Sequence, residues 1–131
     1  MAIVHYDLVF DKKKRPPTLE QIKDRLDGRM GLKTHLIKDG IEPGHCWPHI
    51  GDVRESGTFE CEECEDSDLE ITVGSEGVRI TCVPNSTHPY FRESALASVI
   101  DLGGKFDAQL HTYVHKKWSE LSMAEKQLSF R

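Results

Sequence analysis

The sequence predicts an α+β domain: two layers, with a mostly antiparallel sheet of about five strands and two to three helices packed on one face. Three observations lead there. Two runs with strict apolar alternation flank Gly74-Ser75-Glu76-Gly77, the pattern of a β-hairpin. Three further segments repeat their apolar residues at three- and four-residue steps, the pattern of amphipathic helices. Strands with one apolar face and helices with one apolar stripe can bury those surfaces only against each other.

The elements follow in chain order. Val4, Tyr6, Leu8 and Phe10 alternate with His5 and Asp7, so the chain opens with a half-buried strand. Thr18, with Gln21 three residues on, is a capping box that starts a helix. Leu19, Ile22, Leu26 and Met30 are its stripe, and Gly28 and Gly31 are candidate stops. Residues 32–38 read as a second strand. Residues 39–56 hold Gly40, Pro43, Gly44, Pro48 and Gly51 without periodicity and read as a long connection, a type that is functional or mobile. A strand follows over 58–63, with Phe59 and Cys61 inward. In the hairpin, Leu69, Ile71 and Val73 face the core opposite Val78, Ile80 and Cys82. Pro84 to Pro89 breaks the sheet. Phe91, Ala95, Val99 and Leu102 then stripe a helix that ends at Gly103-Gly104. Leu110, Val114, Trp118 and Leu121 stripe another, and Ser122 with Glu125 caps a short last turn. The sheet face away from the helices carries His5, Asp7, Glu70, Thr72, Arg79 and Thr81 and is expected to be partly wet.

Composition bounds the function. The chain has 131 residues, of which 17 are basic and 22 acidic, for a net charge of −5. That length suits one domain, residues 1–131. The acidic balance argues against a nucleic-acid binder. No apolar run nears the ~18 residues of a membrane span. Met1 to Arg15 lacks the order of a signal peptide, because His5 and Asp7 interrupt the apolar stretch and the lysines follow it. The expected location is cytoplasmic. Four cysteines in a chain this long do not make a disulfide scaffold.

Charge is segregated along the chain. Residues 1–38 are net +4, residues 39–78 net −11 and residues 79–131 net +2. Glu60, Glu62, Glu63, Glu65, Asp66, Asp68 and Glu70 fall within eleven residues that contain no cation. Such crowding raises self-repulsion and invites compensation. Lys12, Lys13, Lys14 and Arg15 folding back is one source, and a bound cation or a basic partner protein is another. A solvated acidic strand edge, which guards against sheet-to-sheet aggregation, is the competing explanation. An EF-hand calcium loop is not matched, since Asp66-x-Asp68-x-Glu70 lacks the glycine and the later glutamate.

Cys46, His49, Cys61 and Cys64 read C-x2-H-x11-C-x2-C, four zinc-type ligands in two closely spaced pairs. A strand running through Cys61 to Cys64 would point the two to opposite faces, so they can share an ion only if it ends between them. The alternative is that Cys61 and Cys82 are small buried hydrophobes. His111 and His115 share a helix face, but Lys116 and Lys117 beside them repel a cation, so they read as a polar flank. The chain lacks the nucleophile elbow, dinucleotide-binding and Walker motifs. Cys46 near His45, His49 or His88, or the pair His5 and Asp7, are the remaining candidates for hydrolase chemistry.

These features predict a non-enzymatic acidic binding module, of the immunity or inhibitor kind, whose seven-carboxylate segment and adjacent loop meet a basic protein such as a nuclease or toxin. The alternatives are a small domain held by a Cys₃His zinc, the one cofactor implied, and a small hydrolase. The oligomeric state is left open.

Overall fold

The computed structural model describes residues 3–40, 44–83 and 86–106. The helix expected over 110–121, the cap at Ser122, and His111 and His115 lie outside the described residues. Among the described residues, nine elements run in the order β1 (Val4–Val9), α1 (Leu19–Met30), β2 (His35–Asp39), β3 (Cys46–Trp47), β4 (Gly51–Cys61), β5 (Ser67–Gly74), β6 (Gly77–Cys82), α2 (Pro89–Asp101) and β7 (Lys105–Phe106). The fold is α+β. Six strands form an antiparallel sheet in the order β2-β4-β5-β6-β1-β7, and the short β3 pairs with β4. None of the described helices is long and apolar enough to cross a membrane.

Strand alternation sorts the sheet into two unlike faces. Register places Tyr6 beside Ile80, Leu8 beside Val78, Ile71 beside Ile80 and Phe59 beside Leu69. These residues join Leu19, Ile22, Leu26 and Met30 of α1 and Phe91, Ala95 and Val99 of α2 in one apolar cluster. The opposite face carries two cross-strand rows. One runs His5, Thr81, Glu70, Thr58 and Ile37; the other runs Asp7, Arg79, Thr72, Ser56 and Asp39. The expected polar face is therefore present, although Thr72 on it is only 1% exposed.

Helix α1 starts and stops where its chemistry directs. Thr18 accepts from the Gln21 amide while the Gln21 side chain accepts from the Thr18 amide, a complete capping box. Gly31, at φ 69°, takes the left-handed cap position, so the stop is Gly31, and Gly28 lies inside the helix. Helix α2 is buried along Ser94–Val99 without interruption, so it is a core helix rather than a surface helix with one apolar stripe. Asp101 at its end accepts from Arg29 at 2.6 Å and Arg25 at 3.1 Å, tying it to α1. Burial works to raise the Asp101 pKa, but the two guanidiniums outweigh it and leave the carboxyl below its ordinary value.

The long connection expected over 39–56 is shorter than its composition implied. Residues 51–56 belong to β4, an eleven-residue strand. A β-bulge between Val53 and Glu55 explains why no alternation is visible there. The bulge turns Glu55 toward the helix side, where its Oε2 accepts from the Leu19 amide at 3.1 Å, a carboxylate on a helix N-terminus. The strand expected over 58–63 ends at Cys61, the strand expected over 32–38 occupies His35–Asp39, and β7 was not anticipated.

Three outcomes test this account. A Cβ at Gly74 would meet the Ile50 carbonyl oxygen at 2.2 Å, so Gly74→Ala is expected to cost about 1–3 kcal/mol in urea unfolding. Gly28 has open space around its Cβ position, so Gly28→Ala should stabilise by up to about 1 kcal/mol. Asp101 has a lowered pKa, so its contribution is complete above the ordinary carboxylate value of 3.8 and is lost as pH falls through the folded value. Asp101→Asn should therefore lower stability at neutral pH, and the gap from the parent protein should close on acidification.

Candidate functional site

The segment 44–50 folds as a small hairpin onto the polar face of the sheet. Cys46 pairs with Asp52 and Trp47 with Gly51, and His49 and Gly51 both take positive φ to close the turn. Ile50 is fully buried against Gly74 and Gly77, whose missing side chains leave room for it. The Glu76 amide donates to the Ile50 carbonyl and the Ser75 amide to that of Asp52, both at 2.8 Å. The hairpin is thus pinned to the β5–β6 turn.

Arg79 supplies a second anchor. Its guanidinium donates to Asp7 at 2.7 and 3.2 Å and lies 4.8 Å from the Trp47 ring centroid. A third bond reaches the Pro48 carbonyl at 3.4 Å. One cation therefore neutralises Asp7 and holds the aromatic ring by its face. Asp7 is thereby committed to Arg79, while His5 Nδ1 sits 2.9 Å from the Thr81 hydroxyl. The acid/base pair considered for His5 and Asp7 is not assembled.

Between this hairpin and the sheet lies a cavity of about 340 Å³. Ser56 and Thr72 form its floor, their hydroxyls 3.1 Å apart. Trp47 and His45 line one side, and the carboxylates of Asp39 and Glu70 also line it. Glu70 accepts a long 3.4 Å bond from Ser56. The cavity thus combines an aromatic wall, two carboxylates and a hydroxyl floor. Trp47, Asp39 and Ser56 carry no sequence signature of a site, and His45 was considered only as a neighbour of Cys46. The loop composition over 39–56 was the one available pointer to them.

The seven carboxylates divide into two sets. Glu60, Asp68 and Glu70 stand on the polar face, with Glu60 directly opposite Asp68 in the β4–β5 register. Like charges placed so repel. Glu62, Glu63, Glu65 and Asp66 are exposed in the turn that joins the two strands. Glu65 and Asp66 take φ of 57° and 55° there. Among the described residues, no ion pair joins any of the seven to a cation. The expectation that Lys12 to Arg15 fold back on them is not met. Lys12 and Lys14 lie beside His49, Ser75 and Glu76, at the opposite end of β5. The groove is continuous with the acidic set through Glu70.

The proposed four-ligand zinc set is likewise not brought together. Cys46 and His49 sit in the hairpin at one end of β4, whereas Cys61 is its last residue. Nine residue steps of extended chain separate Asp52 from Cys61, roughly 30 Å. No described group of three or more His, Cys, Asp or Glu side chains is arranged to hold a metal. Cys61 and Cys64 do meet, because β4 ends at Cys61 and the turn carries Cys64 back inward. Their sulfurs are 2.7 Å apart. Cys46 is exposed. His88, considered as its partner, is buried at the α2 N-cap, where its amide donates to Ser67.

Arg79 is the test of how the hairpin is held. Arg79→Lys keeps the charge but loses the two-point bond to Asp7 and the flat stack on Trp47. Amide exchange at Val53, whose N–H donates to the His45 carbonyl, should speed up in Arg79→Lys and more so in Arg79→Ala. Unchanged exchange in both would show that Ile50 holds the hairpin alone.

Comparisons with protein-family models, with curated proteins and with solved structures give no match.

Proposed function

We propose that this chain is a binding module for a basic protein segment and that its recognition surface is the polar sheet face from Glu60 and Asp68 to the cavity beside Trp47. What supports the reading is the meeting of two features that sequence alone left apart. An acidic strand pair with no ion-pair partner among the described residues runs into a cavity that suits a lysine or arginine side chain. Glu70 belongs to both.

The chemistry favours a cation in three ways. Asp39 and Glu70 offer carboxylates at the cavity wall. Trp47 offers a ring next to them, and Arg79 already lies against that ring, an internal example of the contact. The Glu60–Asp68 repulsion is relieved when a partner brings positive charge, so binding gains what folding gave up. Glu62, Glu63, Glu65 and Asp66 extend the negative field at the rim and steer approach.

The test uses an arginine-rich peptide and the intact protein in calorimetry at low and moderate salt. Binding should weaken as salt rises. The triple substitution Glu60→Lys, Asp68→Lys, Glu70→Lys should reduce affinity by about tenfold or more. Trp47→Ala should weaken binding with little change in its salt dependence. All three substituted carboxylates are exposed, so circular dichroism should report an intact fold. Equal affinity for parent and triple variant would remove the proposal.

A further inference from the structure

Cys61 is the final residue of β4, and Cys64 stands three residues on, inside the turn. Both are in the apolar cluster, at 1% and 0% exposure. Their sulfurs are 2.7 Å apart and unbonded. A disulfide bond is about 2.05 Å long, so the atoms need to close by only roughly 0.7 Å. The remaining cysteines differ. Cys46 is exposed on β3, and Cys82 is buried on β6.

We propose that Cys61 and Cys64 are a reversible dithiol–disulfide site whose oxidant is a small hydroperoxide, hydrogen peroxide being the simplest. The inference is independent of the partner reading above. In the first step the Cys61 thiolate attacks one peroxide oxygen. The O–O bond breaks, an S–O bond forms, and hydroxide leaves to take up a proton as water. In the second step Cys64, giving up its proton, attacks the Cys61 sulfur. The S–S bond forms, and the sulfenic oxygen leaves as a second water. Two thiols and one peroxide thus give one disulfide and two waters.

The sulfur contact of 2.7 Å puts each thiol within attacking reach of the other, so a sulfenic acid formed on Cys61 is captured by Cys64. Peroxide needs access, and the turn supplies it. Glu62, Glu63, Glu65 and Asp66 are exposed, and the route from solvent to the two buried sulfurs runs through a local opening of this turn.

The experiment is peptide mapping of the full chain. Protein is reduced, freed of reductant, treated with hydrogen peroxide, alkylated and digested with trypsin. Residues 55–79 form one tryptic peptide that holds Cys61 and Cys64 and no other cysteine. That peptide should lose two hydrogens, take no alkyl group and recover both thiols with dithiothreitol. Cys46→Ser should leave this result unchanged. Cys64→Ser should stop the second step and leave Cys61 as a sulfenic acid that dimedone traps. Alkylation of both cysteines after peroxide, or sulfinic acid at Cys61 in the parent protein without a cross-link, would overturn the proposal. So would one equivalent of zinc bound to the purified protein and shielding both thiols.

Discussion

Eleven residues of extended chain, Gly51 to Cys61, set the spacing of everything else. This strand pairs with β2 on one side and β5 on the other, and β3 adds to its first residues. Its length separates the Trp47 hairpin from the cysteine pair. Its pairing places Glu60 against Asp68, and Ser56 against Thr72 beneath the cavity. A strand has no freedom to bring its ends together, so the two ends carry separate chemistry. At one end is a cavity with an aromatic wall, and at the other a turn closed over two sulfurs.

Charge follows the same geometry. Four of the nine cations of the first segment pair with carboxylates outside the acidic run. Arg25 and Arg29 hold Asp101, Lys23 holds Asp27, and Lys38 pairs with Glu20 and lies 3.9 Å from Glu55. Arg79 is taken by Asp7 and Trp47. Lys12 and Lys14, from the basic run after β1, lie beside His49 and Glu76 at the far end of the sheet. The middle block consequently keeps its negative charge outward. One carboxylate escapes this pattern. Glu55, turned by the bulge, serves α1 instead.

Much of the fold was legible because local signals agree with tertiary burial. The β5–β6 hairpin shows in the alternation of Leu69, Ile71 and Val73 against Val78, Ile80 and Cys82. Helix α1 shows in its capping box and stripe. The start of β4 was not legible. Gly51, Gly57 and the bulge erase the period that would mark it, and its pairing depends on partners distant in sequence. Helix α2 was found by its stripe, but its burial on nearly every side depends on packing that a stripe does not report. The site was half legible. The acidic run is visible in any reading of the chain. The cavity is not, because Asp39, Trp47, Ser56 and Glu70 are brought together by three different strands and a hairpin. The cysteine spacing contains the pair that meets, whereas the distance of Cys46 and His49 from it was not legible, because sequence spacing conceals the length of a straight strand.

The bulge at Arg54 also acts as a phase shifter. A pleated chain that gains or loses one residue exchanges its two sides from that point on, and the bulge absorbs one such step between the hairpin and the rest of β4. Loop length before Gly51 can drift without disturbing which groups meet the helices. Between Ser56 and Cys61 no slack is left. A single-residue deletion there would send Phe59 into water and carry Glu60 into the apolar cluster, so this short stretch is the part of the chain least able to tolerate a change in length.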